Sequence, residues 1–332
     1  MIIRTLDAHT AGEPLRLIVD GYPTVEGETM FEKRAWVEEH CDHLRTALML
    51  EPRGHADMYG ALLTTPERAT SDAGVLFMHN QGYSTMCGHG IIAVTTLVIE
   101  QGLILPRTPG ELVLDAPAGQ IHATAQVDRS GAQPRVTGVS FRNVPSFVLA
   151  AGIPVRLGSR TVPADIAFGG AFYAIVDSEA AGIPVRAERL DDLRRAGMEI
   201  KHAIESALTI VHPLDPGLTG IYGTIFTGPS SDDAADLRNV TIFADAEVDR
   251  SPCGTGTAAV MAVVDAMGLL SDQRPFVHES LIGTRFNGRV ASRVQVGEHD
   301  AIVPEIEGAA WITGEHTFLI DEDDPLREGF RL

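Results

Sequence analysis

The sequence predicts a mixed α/β or α+β protein built as two domains. Three observations carry that expectation: the chain length, the alternation of short strand-like runs with a few helical segments, and an internal repeat offset by half the chain. With 332 residues, the chain is long enough for two domains that each bury a core. Hydrophobic residues make up 44 % and charged residues 21 %, ordinary values for a globular protein. The 33 glycines and 19 prolines are spread along the chain and do not gather into one linker.

The strand-like runs are short and rich in β-branched and aromatic residues. They include residues 15–19, 74–78, 111–114, 172–176 and 240–244. The clearest helix falls within residues 31–50, where Val37, Cys41, Leu44 and Leu48 recur at helical spacing. In the repeat, Cys87-Gly88-His89-Gly90-Ile91-Ile92-Ala93-Val94 matches Cys253-Gly254-Thr255-Gly256-Thr257-Ala258-Ala259-Val260 at an offset of 166. At the same offset Val98 faces Val264, Gly102 faces Gly268 and Leu103 faces Leu269. The register therefore holds through a whole helix and its glycine stop signal. A match sustained over seventeen positions indicates a duplication, and two copies make a pair of related domains, not a solenoid.

Composition excludes several function classes. Against 45 Asp and Glu stand 26 Lys and Arg, a net charge of −19. Such a chain cannot neutralise a run of nucleic-acid phosphates or dock on an anionic membrane surface. The opening MIIRTLDAHTAGEP lacks the basic region, apolar run and small-residue site of a secretory leader. The apolar stretch 91–99 is far shorter than the roughly 20 residues of a membrane span. Three cysteines make no disulfide framework, so the expectation is a cytoplasmic protein with free thiols.

The repeat places a cysteine in a Gly-rich turn immediately before an apolar helix, twice. A helix N-terminus carries unpaired N–H groups and roughly half a positive charge. Such a turn can cradle a carboxylate. It is also expected to lower the thiol pKa, from about 8.5 toward 7, worth roughly 2 kcal/mol. Were the two copies to face each other, one cysteine would flank each side of a substrate α-carbon. One thiolate would remove the proton and the opposite thiol would supply another, inverting the centre. Cys41, on the apolar stripe of its helix, is expected to be core filling. Zinc ligation by Cys87 or Cys253 lacks a Cys-x-x-Cys or spaced His partner. The fingerprint-like Gly254-x-Gly256-x-x-Ala259 is separated from its strand by the polar segment 245–252, where dinucleotide binding needs a tight turn.

Asp249 either caps a turn or accepts a hydrogen bond from a substrate ammonium. His89 lies in the first helical turn beside Cys87. Arg53, His55 and Asp57 form a polar cluster with no counterpart in the repeat, and a supporting structural role is expected for them.

These residues resemble the proline racemase family. The segments 86–90 (MCGHG) and 249–257 (DRSPCGTGT) match its two cysteine motifs. Further likeness lies in 7–14 (DAHTAGEP), 51–55 (EPRGH), 168–176 (FGGAFYAIV), 278–283 (HESLIG) and the closing residues 320–332. The resemblance implies a fold similar to diaminopimelate epimerase, with two pseudo-symmetric domains, each a curved mixed sheet around a central helix, and the active site between them. It implies a first domain of residues 1–126 plus 303–332 and a second of 127–302. It further implies Cys87 and Cys253 as exchanging base and acid, and a carboxylate held at Gly88, His89, Gly254 and Thr255. The ring nitrogen of an imino acid would then lie at His89 and Asp249. No cofactor or metal is implied, and the usual assembly is a homodimer acting on a small imino acid such as proline or hydroxyproline.

Residues 51–60, 74–82 and 222–227 look like the trans-3-hydroxy-L-proline dehydratase branch. Members of that branch usually carry threonine where this chain has Cys253. Dehydration needs one base at Cα and departure of the Cβ hydroxyl, so retention of a second thiol favours racemase or epimerase chemistry. Elimination by Cys87 is the alternative, and a non-catalytic imino-acid-binding or thiol redox protein is the reading from outside enzymology.

Overall fold

The computed structural model describes all residues except 132, 231 and 332. The chain forms two compact units, residues 1–141 with 309–332, and residues 142–308. The sequence expectation placed the divisions at 126/127 and 302/303. Both fall inside strands, Gly119–Asp128 and His299–Gly308, whose ladders would be cut there.

The first unit begins with β1 (Ile2–Thr10) and β2 (Glu13–Asp20), followed by α1 (Met30–His40) and α2 (Asp42–Met49). Then come β3 (Tyr59–Thr64), β4 (Ala73–His79), β5 (Gly82–Ser84) and α3 (Gly88–Gln101). β6 (Glu111–Ala116) and β7 (Gly119–Asp128) follow, and β8 (Arg135–Arg142) leads to the division. The second unit holds β9 (Ser146–Leu157), β10 (Arg160–Phe168), β11 (Phe172–Asp177), α4 (Ser178–Ala181) and α5 (Leu190–Ala207). It continues through β12 (Gly223–Gly228), β13 (Leu237–Phe243), β14 (Glu247–Asp249) and α6 (Gly254–Ala266). β15 (Phe276–Glu279), β16 (Arg285–Val296) and β17 (His299–Gly308) complete it, and β18 (Ala310–Leu319) belongs to the first unit.

Strand pairing repeats in the two units. In the first, β1–β2 is antiparallel, β2–β3 parallel, β3–β4 antiparallel, β4–β6 parallel and β6–β7 antiparallel. In the second, β10–β11, β11–β12, β12–β13, β13–β15 and β15–β16 follow the same succession. Each unit also hangs one three-residue strand, β5 or β14, on the middle of this order. Among the described residues, the second unit closes completely, because β16 pairs β17, β17 pairs β9 and β9 pairs β10. Closure leaves no unpaired edge.

A single helix packs against the inner face of each set of strands. Every residue of α3 from Gly88 to Val98 is buried, as is every residue of α6 from Gly254 to Val263. Helices this apolar all round are stable only when enclosed. Both end alike. Gly102 and Gly268 take left-handed φ of 64° and 70°, and the amides of Leu103 and Leu269 donate back to the carbonyls of Val98 and Val264. The glycine spacing of the repeat thus becomes a matched pair of helix stops.

The helix expected within 31–50 is two helices that break at Cys41, whose φ of −130° is not helical. Thr29 and Glu32 make a capping box at the start of α1. The break lets α2 carry Arg45 onto the carbonyls of His79 and Asn80, at 2.9 and 2.7 Å. Val37, Cys41, Leu44 and Leu48 nevertheless share one core, because the stripe crosses the break intact. Among the described residues, no helix is long and apolar enough to cross a membrane.

Candidate active site

Each repeated cysteine is the N-cap of its enclosed helix. Cys87 Sγ accepts the amide of Gly90 at 3.2 Å, and Cys253 Sγ accepts that of Gly256 at 3.3 Å. The thiol takes the place that a serine or threonine hydroxyl fills in ordinary capping. The amides of Gly88, His89, Gly254 and Thr255 belong to first turns, which have no intrahelical acceptor for them. The glycines at the third helical positions are required by space. A Cβ on Gly90 would stand 2.9 Å from Cys87 Sγ and 2.4 Å from the Phe77 ring, and one on Gly256 would stand 2.9 Å from Cys253 Sγ.

The surroundings of the two sulfurs differ. Beside Cys87 stands the buried His89, its Nδ1 3.2 Å from Sγ. The His89 carbonyl accepts the Thr10 hydroxyl at 2.9 Å, and the Tyr59 ring meets the imidazole edge-on at 4.8 Å. Tyr59 is itself hydrogen-bonded to Ser84. This is a thiol–imidazole pair on a fixed scaffold, suited to passing a proton.

Around Cys253 the partners are hydroxyls and a carboxyl. Tyr173 Oη and Thr255 Oγ1 each lie 3.7 Å from Sγ and 2.6 Å from each other. Ser251 Oγ accepts the Cys253 amide at 3.1 Å and donates to Asp249 Oδ1 at 2.7 Å, while the Ser251 amide donates to the same oxygen at 2.8 Å. Asp249 therefore caps a turn, one of the two roles expected for it. Burial pushes its carboxyl up to about 6.

The lowered thiol pKa expected from the helix terminus does not hold at Cys253. Burial, with the Asp249 charge adding to it, pushes this thiol up to about 12. Desolvation of Cys253, a residue only 6 % exposed, outweighs the hydrogen bonds of Tyr173, the Gly256 amide and Thr255 that lower its pKa. Tyr173, also raised well above its ordinary range by burial, keeps its phenolic proton.

The second motif brings Asp249, Cys253, Gly254 and Thr255 together, and the first does so for Cys87, Gly88 and His89. Tyr173, Thr10 and Tyr59 escaped the sequence reading because they reach the helix termini from strands far away in the chain. Arg53 donates to the carbonyls of Leu319 and Arg327 and pairs with Asp324 at 3.3 Å, fastening the C-terminal segment. His55 is exposed on its turn and Asp57 sits there at positive φ. Cys41 is 2 % exposed in an apolar core. Among the described residues, no group of three or more His, Cys, Asp or Glu side chains is placed to hold a metal ion.

Each unit thus holds one enclosed helix whose N-terminus is capped by a cysteine within the same strand succession. The chain belongs to the proline racemase family, whose model matches residues 5–331. It is 50 % identical over 334 residues to a trans-3-hydroxy-L-proline dehydratase of Bacillus cereus, covering 100 % of this chain and 98 % of the relative. It is 44 % identical over 330 residues to a 3-hydroxyproline 2-epimerase of Burkholderia multivorans, covering 99 % and 97 %. The crystal structure of a hydroxyproline epimerase from Agrobacterium vitis, with bound trans-4-hydroxy-L-proline, matches with a TM-score of 0.90 at 30 % identity. That match covers 100 % of this chain and 96 % of the other.

Proposed function

We propose that this protein is a cofactor-independent two-thiol epimerase or racemase that inverts the α-carbon of proline or, in preference, of a 3- or 4-hydroxyproline. The observation that carries this reading is the cysteine N-cap repeated on both enclosed helices, each with two first-turn amides beside it. The substrate carboxylate binds at the amides of Gly88, His89, Gly254 and Thr255. Those amides stabilise the charge that develops on it as the α-proton leaves. Cys87, paired with His89, takes the proton from one hand of the substrate. Cys253 delivers a proton to the opposite face and exchanges roles with Cys87 for the other hand. His89 and Asp249 hold the ring nitrogen. Retention of a second thiol at position 253 is what separates this reading from simple elimination.

The second reading, dehydration of trans-3-hydroxy-L-proline by Cys87 acting as base, is favoured by the 50 % identical relative of that name. Both reactions begin with the same abstraction, and they part at the fate of the Cβ hydroxyl. A cytoplasmic location is part of this reading, and the family resemblance supports a homodimer.

Incubation with proline and the 3- and 4-hydroxyproline isomers in D2O, read by NMR, tests the assignment. Inversion with solvent deuterium at Cα supports epimerisation. A cyclic imine detected by an amine-reactive chromogen, with no inverted amino acid, establishes the dehydratase.

A further inference from the structure

The two catalytic cysteines differ in backbone conformation. Cys87 is extended, with φ −143° and ψ 112°, whereas Cys253 has φ 61° and ψ 109°. A non-glycine residue in that region is costly and persists only where its surroundings over-determine it. The peptide before Cys253 is gripped from two sides. The Pro252 carbonyl accepts the hydroxyl of Thr257 at 3.1 Å and the side-chain amide of Asn239 at 3.1 Å. Behind these, His278 Nε2 lies 2.8 Å from Asn239 Nδ2, and His278 Nδ1 lies 2.9 Å from Thr257 Oγ1. All three side chains are fully buried.

Asn239 Nδ2 faces both ring nitrogens of the buried His278, Nε2 at 2.8 Å and Nδ1 at 3.0 Å, and donates to the imidazole. The Thr257 hydroxyl, which donates to the Pro252 carbonyl, also meets His278 Nδ1 at 2.9 Å. A doubly protonated imidazole would oppose the Asn239 amide, and burial holds His278 neutral by pushing its pKa down to about 3. Among the described residues, the first unit has no such device. Ile91 stands at the repeat position of Thr257. The parallel register that sets His278 opposite Leu237 sets Leu114 opposite Ala73 in the first unit.

We infer that Asn239, Thr257 and His278 are positioning residues that clamp the Pro252–Cys253 peptide and so aim the Cys253 thiol as the second acid–base group. The inference rests on the two-thiol reading above. The clamp touches neither the sulfur nor a substrate, and acts through the backbone of Cys253 alone. Its loss therefore harms the Cys253 step while leaving proton removal by Cys87 in place.

The test is the ratio, within one D2O reaction with trans-3- or trans-4-hydroxy-L-proline, of inverted product to deuterium exchanged without inversion. Because the ratio is internal, it does not depend on how much of a variant folds. Thr257→Val is expected to lower it about tenfold, in the range that a small misplacement of a catalytic group costs. Asn239→Leu should act in the same direction, and Thr257→Ser, which keeps the hydroxyl, should restore the ratio to within about threefold of the unmodified enzyme. An unchanged ratio in Thr257→Val and Asn239→Leu overturns the clamp. Should the unmodified enzyme give no inversion, or Cys253→Ser leave the ratio untouched, the two-thiol reading falls and the clamp falls with it.

Discussion

The Cys87 and Cys253 turns each open an enclosed helix with the same cap and glycine spacing, yet they hold their sulfurs in unlike ways. Cys87 sits on relaxed backbone beside an imidazole. Cys253 sits on strained backbone, where burial and the neighbouring Asp249 carboxyl push its thiol pKa up against the opposing hydrogen bonds of Tyr173 and Thr255. The repeat gives two copies of one cysteine-capped helix terminus, and what surrounds each thiol differs. On the two-thiol proposal, the two acid–base groups work from unlike environments.

The largest expected effects lie on the thiols themselves. Cys87→Ser should depress exchange and inversion together by about 10²–10⁴-fold, the usual worth of a positioned acid or base. Cys253→Ser should depress inversion by a similar factor while sparing exchange on the hand that Cys87 deprotonates, as chiral chromatography and NMR would show. Equal loss of both reactions in both variants would break the comparison.

The glycines beneath the sulfurs come next. Gly90→Ala should destabilise by about 1–3 kcal/mol, because the new methyl meets the Phe77 ring as well as Cys87 Sγ. Gly256→Ala should cost less in a denaturant titration, since its methyl meets the movable end of Ile225. Both should lower activity by displacing their sulfurs.

A smaller effect is the acid response of the second unit. His278 titrates near 3 when folded and near 6.5 when unfolded. Between those values the unfolded chain binds more protons, so stability is complete above about pH 6.5 and is lost as pH falls, at up to about 1.4 kcal/mol per pH unit. Asp249, raised to about 6, contributes the opposite slope between its unfolded pKa and that value. Subtracting the curve of His278→Asn from that of the unmodified protein isolates the histidine. A flat difference between pH 4 and 6 would contradict its neutral burial.

The smallest effect belongs to the third thiol. Cys41→Ala should cost on the order of 1 kcal/mol from lost packing and leave turnover per folded molecule unchanged in a steady-state assay.

Much of this contrast was legible in the sequence at the level of the repeat. The offset of 166 marks both caps, both enclosed helices and both glycine stops, because those features are local. The strain at Cys253, the hydroxyls of Tyr173 and the Asn239–Thr257–His278 clamp were not legible. They depend on strands brought beside α6 by pairings remote in sequence. His278 and Tyr173 lay inside segments of family likeness, but nothing in their spacing told where they would point. The rise of the Cys253 pKa was missed for a related reason. A helix terminus can be read from a motif, whereas desolvation is set by everything packed around it. The break at Cys41 escaped because the apolar stripe continues across it.

The most direct measurement follows the first turnovers of trans-4- or trans-3-hydroxy-L-proline in D2O, with the Cα isotope of substrate and product resolved by NMR and chiral separation. Two thiols on opposite faces predict deuterium in the inverted product while the remaining substrate keeps its proton. Early deuterium in the uninverted substrate with no inverted product, or release of an imine, would contradict the account.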